Sequence, residues 1–450
     1  MKSKLCILYF LQFGVWGCYL TSLGQFLGSS GLGSQIAWFY AAIGLVSLLT
    51  PTFFGYISDR FLSPNRVLGC CHFLAGLIML SAFFYSLKTP QLDFGIFYTL
   101  YLLFLCFYMP TMALANTVTF GLLKAYGHNP VDSFPVIRVW GTIGFIAAMW
   151  FVNTTYWCDG TIGWTISENS IHAMSRFQYN AGQLCCSGIL GIVTALFTLT
   201  IPKNSRNSKA LKSEEKTFRS IFSNFLKTKQ FFQLPSLKKF LIFAALAGVC
   251  LQISNGYVTP FITHFIGDSN FYGTFAAANA TMLFSISQIA EAFFILTVGV
   301  SLKKIGIKYV FAVGLFTWAL RFLLLGLGNP GSGLWMIVLS MIVYGVGFNF
   351  ITIAGHLYID SKSPEGFKGF GQGAMMLMSN GLGATLGTLC AGEIVNHWCH
   401  WDRIEMAPGI TAQLFMGDWI FPWLIFAAYA FVIGIIWLFV KSKSPKVISD

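Results

Sequence analysis

The sequence predicts an all-α membrane protein with twelve transmembrane helices in two six-helix bundles. Two observations predict this fold class: the apolar content of the chain and the length of its apolar runs. Of the 450 residues, 56% are hydrophobic and 10% are charged, and the mean hydropathy is +0.68. A helix needs about 20 apolar residues to cross the hydrocarbon core of a bilayer. Runs of that length follow one another along most of the chain, so the protein is expected to reside in lipid.

Glycine, proline and charged residues divide the apolar sequence into twelve segments. Six segments precede a long polar stretch and six follow it. This layout predicts an N-terminal bundle over 1–201, a cytoplasmic basic linker over 202–236 and a C-terminal bundle over 237–450. The first segment is too long for a signal peptide and lacks a cleavage site, so we expect it to be a span. The twelve segments are 5–28, 35–55, 66–86, 93–119, 134–155, 178–201, 239–266, 273–299, 308–327, 333–356, 370–396 and 417–440.

The distribution of lysine and arginine predicts how the chain is oriented. If both termini are cytoplasmic, the inside segments hold 23 of the 28 basic residues, and the outside loops hold only Lys88, Arg176 and Arg403. Basic residues concentrate on the cytoplasmic side of membrane proteins. We therefore predict a multi-pass inner-membrane protein with both termini in the cytoplasm. The net charge of +12 follows from this topology and from attraction to anionic lipid, so no nucleic-acid partner is expected.

The cysteine and histidine residues give no indication of a bound metal. Most of the eleven cysteines lie within apolar runs, where cysteine packs as a small apolar side chain, so we expect no disulfide framework. The His397-x-x-His400 segment beside Cys399 is rich in tryptophan and histidine, which is typical of a membrane interface. We predict no metal site and no cofactor.

A short charged motif follows the second span. It reads Gly55-x-x-x-Asp59-Arg60, and the same spacing of a glycine and a charged pair recurs from Gly299. Glycine lets two helices approach closely, and the charged pair can cap neighbouring helix ends, which suits a gating latch between the two bundles. The motif resembles the signature of the major facilitator superfamily. With six spans on each side of a long loop, this resemblance implies the fold of that superfamily.

Three ionisable residues lie within predicted spans. Glu291 is the only acidic residue deep in a span, and Arg138 and Arg321 lie in the fifth and ninth spans. A charge at mid-bilayer costs about 2.5 to 3.5 kcal/mol on insertion scales, so each one needs a reason. We expect Glu291 and Arg138 to mark a substrate or proton pathway. Arg321 is near the outer end of its span, and we expect its side chain to snorkel to the membrane surface.

Polar and aromatic side chains recur at helical spacing around these charges. On four spans they fall on one face each, so together they can line one cavity. Amides, one carboxylate, one guanidinium and aromatic rings can bind hydroxyls and a flat ring, and there is no basic cluster for phosphates. This chemistry favours a nucleoside; interhelical hydrogen bonding remains the alternative for single polar residues. The candidate substrate-binding residues are Arg138, Thr142, Phe145, Gln252, Asn255, Gln288, Glu291, Tyr344, Phe348 and Asn349.

Several segments resemble the bacterial nucleoside:H⁺ symporter family of the major facilitator superfamily. The resemblance covers essentially the whole chain and implies that all the candidates except Asn349 match nucleoside-contacting positions of the family. Where well-known members carry an aspartate, this chain has Asn349, which cannot exchange a proton. Glu291 would then carry proton coupling alone, or coupling is altered or absent. The segments that carry the resemblance are 11–17, 108–111, 134–145, 251–255, 285–291 and 340–345.

The predicted function is secondary active transport. We expect a monomer that imports nucleosides by proton symport through alternating access, with the nucleoside, the proton and membrane lipid as its partners. The alternative within transport is a modified nucleoside, a nucleobase or another small ring compound as cargo, with or without proton coupling. We do not expect an enzyme, since the spans hold no paired carboxylates and no nucleophile with its base. A sensor that keeps the transporter fold is a further alternative, for which Asn349 would be a clue.

Overall fold

A computed structural model shows a chain built almost entirely from helices. It describes residues 1–89, 91–128, 130–158, 160–166, 172–202, 235–362, 374–407 and 410–440. The helices are α1 (Lys2–Gly17), α2 (Leu23–Ser29), α3 (Ile36–Arg60), α4 (Pro64–Lys88), α5 (Phe94–Ala125), α6 (Pro130–Thr154), α7 (Gly182–Thr198), α8 (Pro235–His264), α9 (Phe275–Ala278), α10 (Ala280–Leu327), α11 (Leu334–Lys362), α12 (Ala384–Trp398) and α13 (Ile420–Phe439).

The helices have the length and composition of membrane spans. Within the described ranges, eight helices are long and apolar enough to cross a bilayer. Many of their large apolar side chains are exposed, as a lipid-facing surface requires. Each of the twelve predicted segments overlaps at least one helix, but the count of twelve spans stays a prediction.

Four predicted segments differ from the helices in the structure. The first segment is broken between α1 and α2, where Gly17, Thr21 and Ser22 lower the helix propensity. The eighth and ninth segments join into the single helix α10, which is kinked at Gly306 with a φ of 73°. The sixth segment is shorter than predicted, since α7 has 17 residues. Just before α12, the stretch Leu377–Gly383 is a π-helix.

Two β-hairpins follow the ends of α6 and α12, and neither was predicted. The first pairs β1 (Thr155–Cys158) with β2 (Thr161–Trp164), and the second pairs β3 (Cys399–Ala407) with β4 (Ile410–Gly417). Both pairs are antiparallel. Strand β4 contacts α2, and so does the short 3-10 helix Phe177–Tyr179, which contacts β1. Both hairpins therefore lie near α2, at one end of the molecule that we call the hairpin end.

Helices from each half of the sequence pack mainly against helices of the same half. In the first half α1 packs on α6, and α4 packs on α5 and α7; in the second half α10 packs on α11 and α13, and α8 on the π-helix and α12. The α1–α6 crossing is very close, because a side chain at Gly144 would collide with the backbone of Phe10. The division into two bundles joined by a linker remains a prediction, since residues 203–234 lie outside the described ranges.

The two halves are joined at the hairpin end by side-chain hydrogen bonds. The Trp150 indole donates to the Ser285 hydroxyl at 2.8 Å, and the Asn153 amide donates to the Asn279 side chain at 2.7 Å. Arg176 was expected in an outer loop, and its side chain is fully buried. It donates to the Asn279 side chain at 3.0 Å and to the Ala278 carbonyl at 2.8 Å. These neutral acceptors of the other half compensate for the burial of its charge.

The second hairpin adds a tryptophan contact between the halves. The Trp401 ring stacks on Phe415 with a centroid distance of 4.9 Å and an interplanar angle of 6°. It also fills the space beside Gly28 and Gly33, where any side chain would collide with it. The Gln25 amide donates to the Gln413 carbonyl at 3.0 Å. These contacts fasten the hairpin over α2, and we call them the Trp401 clasp.

The glycines of the predicted gating motif make no close helix crossing. A side-chain carbon built on Gly55 or on Gly299 would have no described atom within 4 Å. In this conformation the described residues leave open space beside both glycines, and the role of the motif as a latch between the bundles stays a prediction. The side chains of Asp59 and Arg60 lie outside the described part of the structure.

Candidate substrate site

A cavity of about 470 Å³ lies between helices of the two halves. Its volume is within the range of about 300 to 1,000 Å³ that is usual for small-molecule sites. All but one of the ten candidate residues from the sequence line this cavity. They are Arg138, Thr142 and Phe145 of α6, Gln252 and Asn255 of α8, Gln288 and Glu291 of α10, and Tyr344 and Phe348 of α11.

One wall of the cavity is formed by α6 and α1. Arg138, Thr142 and Phe145 share one face of α6, as their spacing predicts. The Arg138 guanidinium lies 3.9 Å from the centroid of the Phe13 ring, which is a cation–π contact. Gly141 makes this contact possible, since a side chain there would lie 2.8 Å from the Phe13 ring and 3.0 Å from the guanidinium. This wall therefore presents one fixed cation beside aromatic rings.

The opposite wall is formed by α8, α10 and α11. The Asn255 amide donates to the Gln252 carbonyl oxygen at 3.3 Å, which fixes both amides relative to each other. The rings of Tyr344 and Phe348 are stacked, with centroids 5.8 Å apart and an interplanar angle of 13°. The Glu291 side chain lines the same cavity as Arg138. This wall combines amides, an aromatic stack and an acid.

Several lining residues were missed by the sequence reasoning. Phe13 lies in a segment that resembles the transporter family, and this position was its only signal. Trp16 of the same segment looks like a functional helix residue in the sequence, but it was not among the predicted site residues. Asn116 of α5 is polar and lines the cavity, where it accepts a hydrogen bond from the Tyr9 hydroxyl at 2.5 Å. Apolar lining residues such as Met112 carry no sequence signal, because apolar residues occur throughout the spans.

The structure does not bring Asn349 to the cavity wall. Its side chain is fully buried between α11 and α10. The amide donates to the main-chain carbonyls of Glu291 and Gly345, both at 2.8 Å. In place of the predicted contact with substrate, Asn349 therefore contacts the backbone of the residue that carries the acid.

Arg321 lies behind the cavity wall formed by α8, α10 and α11, and not at the membrane surface as the sequence predicted. It was expected to snorkel to the membrane surface, but its side chain is fully buried in the second half. It does not line the cavity, and no carboxylate in the described ranges forms a salt bridge with it. The snorkelling prediction is wrong, because the side chain points into a cluster of hydroxyl groups and aromatic rings.

Comparisons with known proteins match nearly the whole chain. The model of the family described as "Nucleoside H+ symporter" matches residues 1–445. Nucleoside permease NupG of Escherichia coli (strain K12) is 33% identical over 438 residues, covering 96% of this chain and 94% of its own. The xanthosine permease of the same organism is 30% identical over 444 residues, covering 98% and 95%. A crystal structure of the nucleoside transporter NupG superposes with a TM-score of 0.80 and 31% identity, covering 98% and 99%.

Apolar helices of membrane-spanning length and a cavity between the two halves that carries a few polar side chains are typical of a membrane transporter. The chain belongs to the nucleoside H⁺ symporter family, since the family model spans nearly its full length. This membership confirms the predicted fold class, that of an all-α membrane protein of the major facilitator type. It also confirms the predicted function at the level of the family, nucleoside import by proton symport, in a multi-pass inner-membrane protein.

Proposed function

We propose that the cavity is the nucleoside-binding site of this symporter. The observation that carries this proposal is that nine side chains from four helices, selected for polarity and spacing, converge on one cavity. Gln252, Asn255 and Gln288 supply hydrogen bonds to hydroxyls and to the edge of a base. Phe145 or Phe348 supplies a flat surface on which a base can stack.

Glu291 is the proton-coupling residue in this proposal. It lines the cavity together with Arg138. Opening toward the outside hydrates the carboxyl and lets it take a proton. Protonation neutralises the acid and weakens its attraction to Arg138, which permits closure around the nucleoside. Opening toward the cytoplasm then releases both the nucleoside and the proton.

The hairpin end faces the outside in this proposal, and both termini are cytoplasmic. The support is the excess of basic residues on the other side, 23 of 28 in the predicted inside segments. In that orientation the hydrogen bonds and the Trp401 clasp close the outer side. The open surroundings of Gly55 and Gly299 then belong to the cytoplasmic side. The conformation is that of a carrier closed to the outside.

Uptake by cells that lack their own nucleoside carriers tests the proposed function. We expect labelled nucleosides to accumulate when a proton gradient is present and only to equilibrate when it is collapsed. A panel of nucleosides, nucleobases and modified nucleosides identifies the cargo. Accumulation of nucleobases without nucleosides would contradict the proposal.

Asn349 favours a second candidate, the same carrier with altered coupling or cargo. By its resemblance to the family, the chain has an amide where well-known members carry an aspartate, and this amide is buried against the backbone of Glu291. Under this candidate, nucleoside or ring-compound uptake proceeds downhill and is unaffected by collapse of the proton gradient. The same uptake panel therefore separates the two candidates.

Labelling of single cysteines tests the proposed orientation. In a background without the eleven native cysteines, a cysteine placed in the 202–236 stretch is expected to react with a membrane-impermeant thiol reagent only after the membrane is opened. A cysteine at exposed Arg403 of the second hairpin is the matched control and is expected to react in intact cells. Reaction of the 202–236 stretch from outside intact cells would refute the orientation.

A further inference from the structure

The side chain of Arg321 is a buried cation with neutral partners. It is fully buried. It donates to the Ser340 carbonyl at 2.5 Å, to the Ser254 hydroxyl at 2.8 Å and to the Ser287 hydroxyl at 3.4 Å. In a membrane protein an ionised side chain away from water is costly and usually has a functional reason. No part of the transport cycle proposed above uses it.

Its partners stand directly behind the candidate site. Ser254 precedes Asn255 in α8, and Ser287 precedes Gln288 in α10; both of the following residues line the cavity. Adjacent residues in a helix point about 100° apart, so one side chain of each pair faces the cavity and the other faces Arg321. The Arg321 guanidinium is therefore hydrogen-bonded to both α8 and α10, on the helix faces that point away from the cavity.

The same guanidinium also lies against rings of the cavity wall. It is 4.8 Å from the centroid of Tyr344 and 5.9 Å from that of Phe284, and both rings line the cavity. Tyr344 is held further by the edge of Trp318 at 5.5 Å and by its stack on Phe348 at 5.8 Å. A cation over a ring in a dry environment is a directional contact, so it fixes the plane of the ring.

We propose that Arg321 is a positioning residue of the nucleoside site. It does not touch the cargo, and it sets the plane of Tyr344, and with it the stacked Phe348, while it holds α8, α10 and α11 in register. A planar guanidinium suits this task, because it can donate to three helices at its edge and present its face to a ring. This inference rests on the proposed function of the cavity.

A double-mutant cycle tests whether Arg321 acts through Tyr344. Nucleoside dissociation constants are measured on purified protein for Arg321→Gln, Tyr344→Leu and the double variant. The loss of a desolvated cation–π contact predicts an affinity about 3-fold to 30-fold weaker for Arg321→Gln. The double variant is expected to bind no more weakly than the poorer single variant, because each change removes the same arrangement. Arg321→Lys keeps the cation and is expected to recover part of the affinity.

Arg176→Gln is the matched control. It also removes a fully buried guanidinium with neutral partners, but none of its hydrogen bonds reaches a cavity-lining residue. Its effect is expected to multiply with that of Tyr344→Leu. If the effects of Arg321→Gln and Tyr344→Leu multiply as well, or Arg321→Gln lowers the melting temperature without changing affinity, the positioning role is refuted.

Two further outcomes keep the test decisive. If Arg321→Gln does not fold, the cycle is run with Arg321→Lys, and multiplicative effects again refute the role. If Tyr344→Leu and Gln252→Ala both bind nucleosides like the unaltered protein, the proposed site itself is wrong and the role of Arg321 falls with it. Loss of affinity in those two variants without coupling to Arg321 refutes the positioning role alone.

Discussion

A Glu291→Gln protein is expected to bind nucleosides but to lose proton-driven accumulation. The amide keeps the size and the hydrogen bonds of the side chain, but it cannot take up and release a proton. A driving force of 100 mV is worth about 2.3 kcal/mol per charge, which sustains an about 50-fold gradient for one proton per nucleoside. The variant is expected to bring nucleoside only to equilibrium and to retain exchange across the membrane. Uptake into proteoliposomes with an imposed proton gradient measures both properties.

Glu393→Gln is the matched control for this variant. Glu393 is an exposed acid on α12 that does not line the cavity, so the same chemical change there is expected to leave accumulation intact. If Glu291→Gln still concentrates nucleoside in a proton-dependent way, the coupling mechanism is wrong. Another titrating group would then have to carry the proton.

Gln252→Ala and Phe348→Ala are each expected to weaken nucleoside binding by about 5-fold to 150-fold. The reason for Gln252 is that removing one partner of a buried hydrogen bond costs about 1 to 3 kcal/mol. The reason for Phe348 is the loss of a stacking surface and of the ring that supports Tyr344. Equilibrium binding of a labelled nucleoside to purified protein measures both effects.

Phe293→Ala is the control for the aromatic variant. Phe293 is on α10, two residues beyond Glu291, but its side chain is 69% exposed and faces away from the cavity. Its removal is expected to leave affinity unchanged. The proposed site is refuted if Gln252→Ala and Phe348→Ala also leave affinity unchanged.

Much of the cavity was predictable because polar residues are rare in the spans. A buried charge or amide in an apolar helix has a cost, so Arg138, Glu291 and Gln252 stood out from the sequence. Their spacing then indicated which neighbours share a helix face. Apolar lining residues such as Phe13 could not be selected in this way, because a phenylalanine fits lipid, core and cavity equally well.

The misplaced residues each have a physical reason. Phe348 and Asn349 are adjacent in α11, so their side chains diverge by about 100° and only one of them faces the cavity. Arg321 was judged by its distance from a helix end, but the face it occupies decides its surroundings, and that face depends on packing. Sequence position alone does not contain this information.

The second hairpin could have been recognised from a local signal. A Pro408-Gly409 pair, a frequent turn sequence, separates two short runs that contain Trp401, Ile404, Ile410 and Phe415. The docking of this hairpin on α2 could not be predicted, since it joins residues almost four hundred positions apart. Only the assembled structure places Trp401 beside Gly28.

The Trp401 clasp also limits how this sequence can evolve. The indole occupies the volume that any side chain at Gly28 or Gly33 would need. A larger residue at either glycine is therefore compatible with the fold only if a smaller side chain replaces Trp401. Conversely, a smaller residue at position 401 removes the constraint that keeps both positions glycine. These three positions should vary together among descendants of this chain, so their substitution histories record whether the clasp was kept.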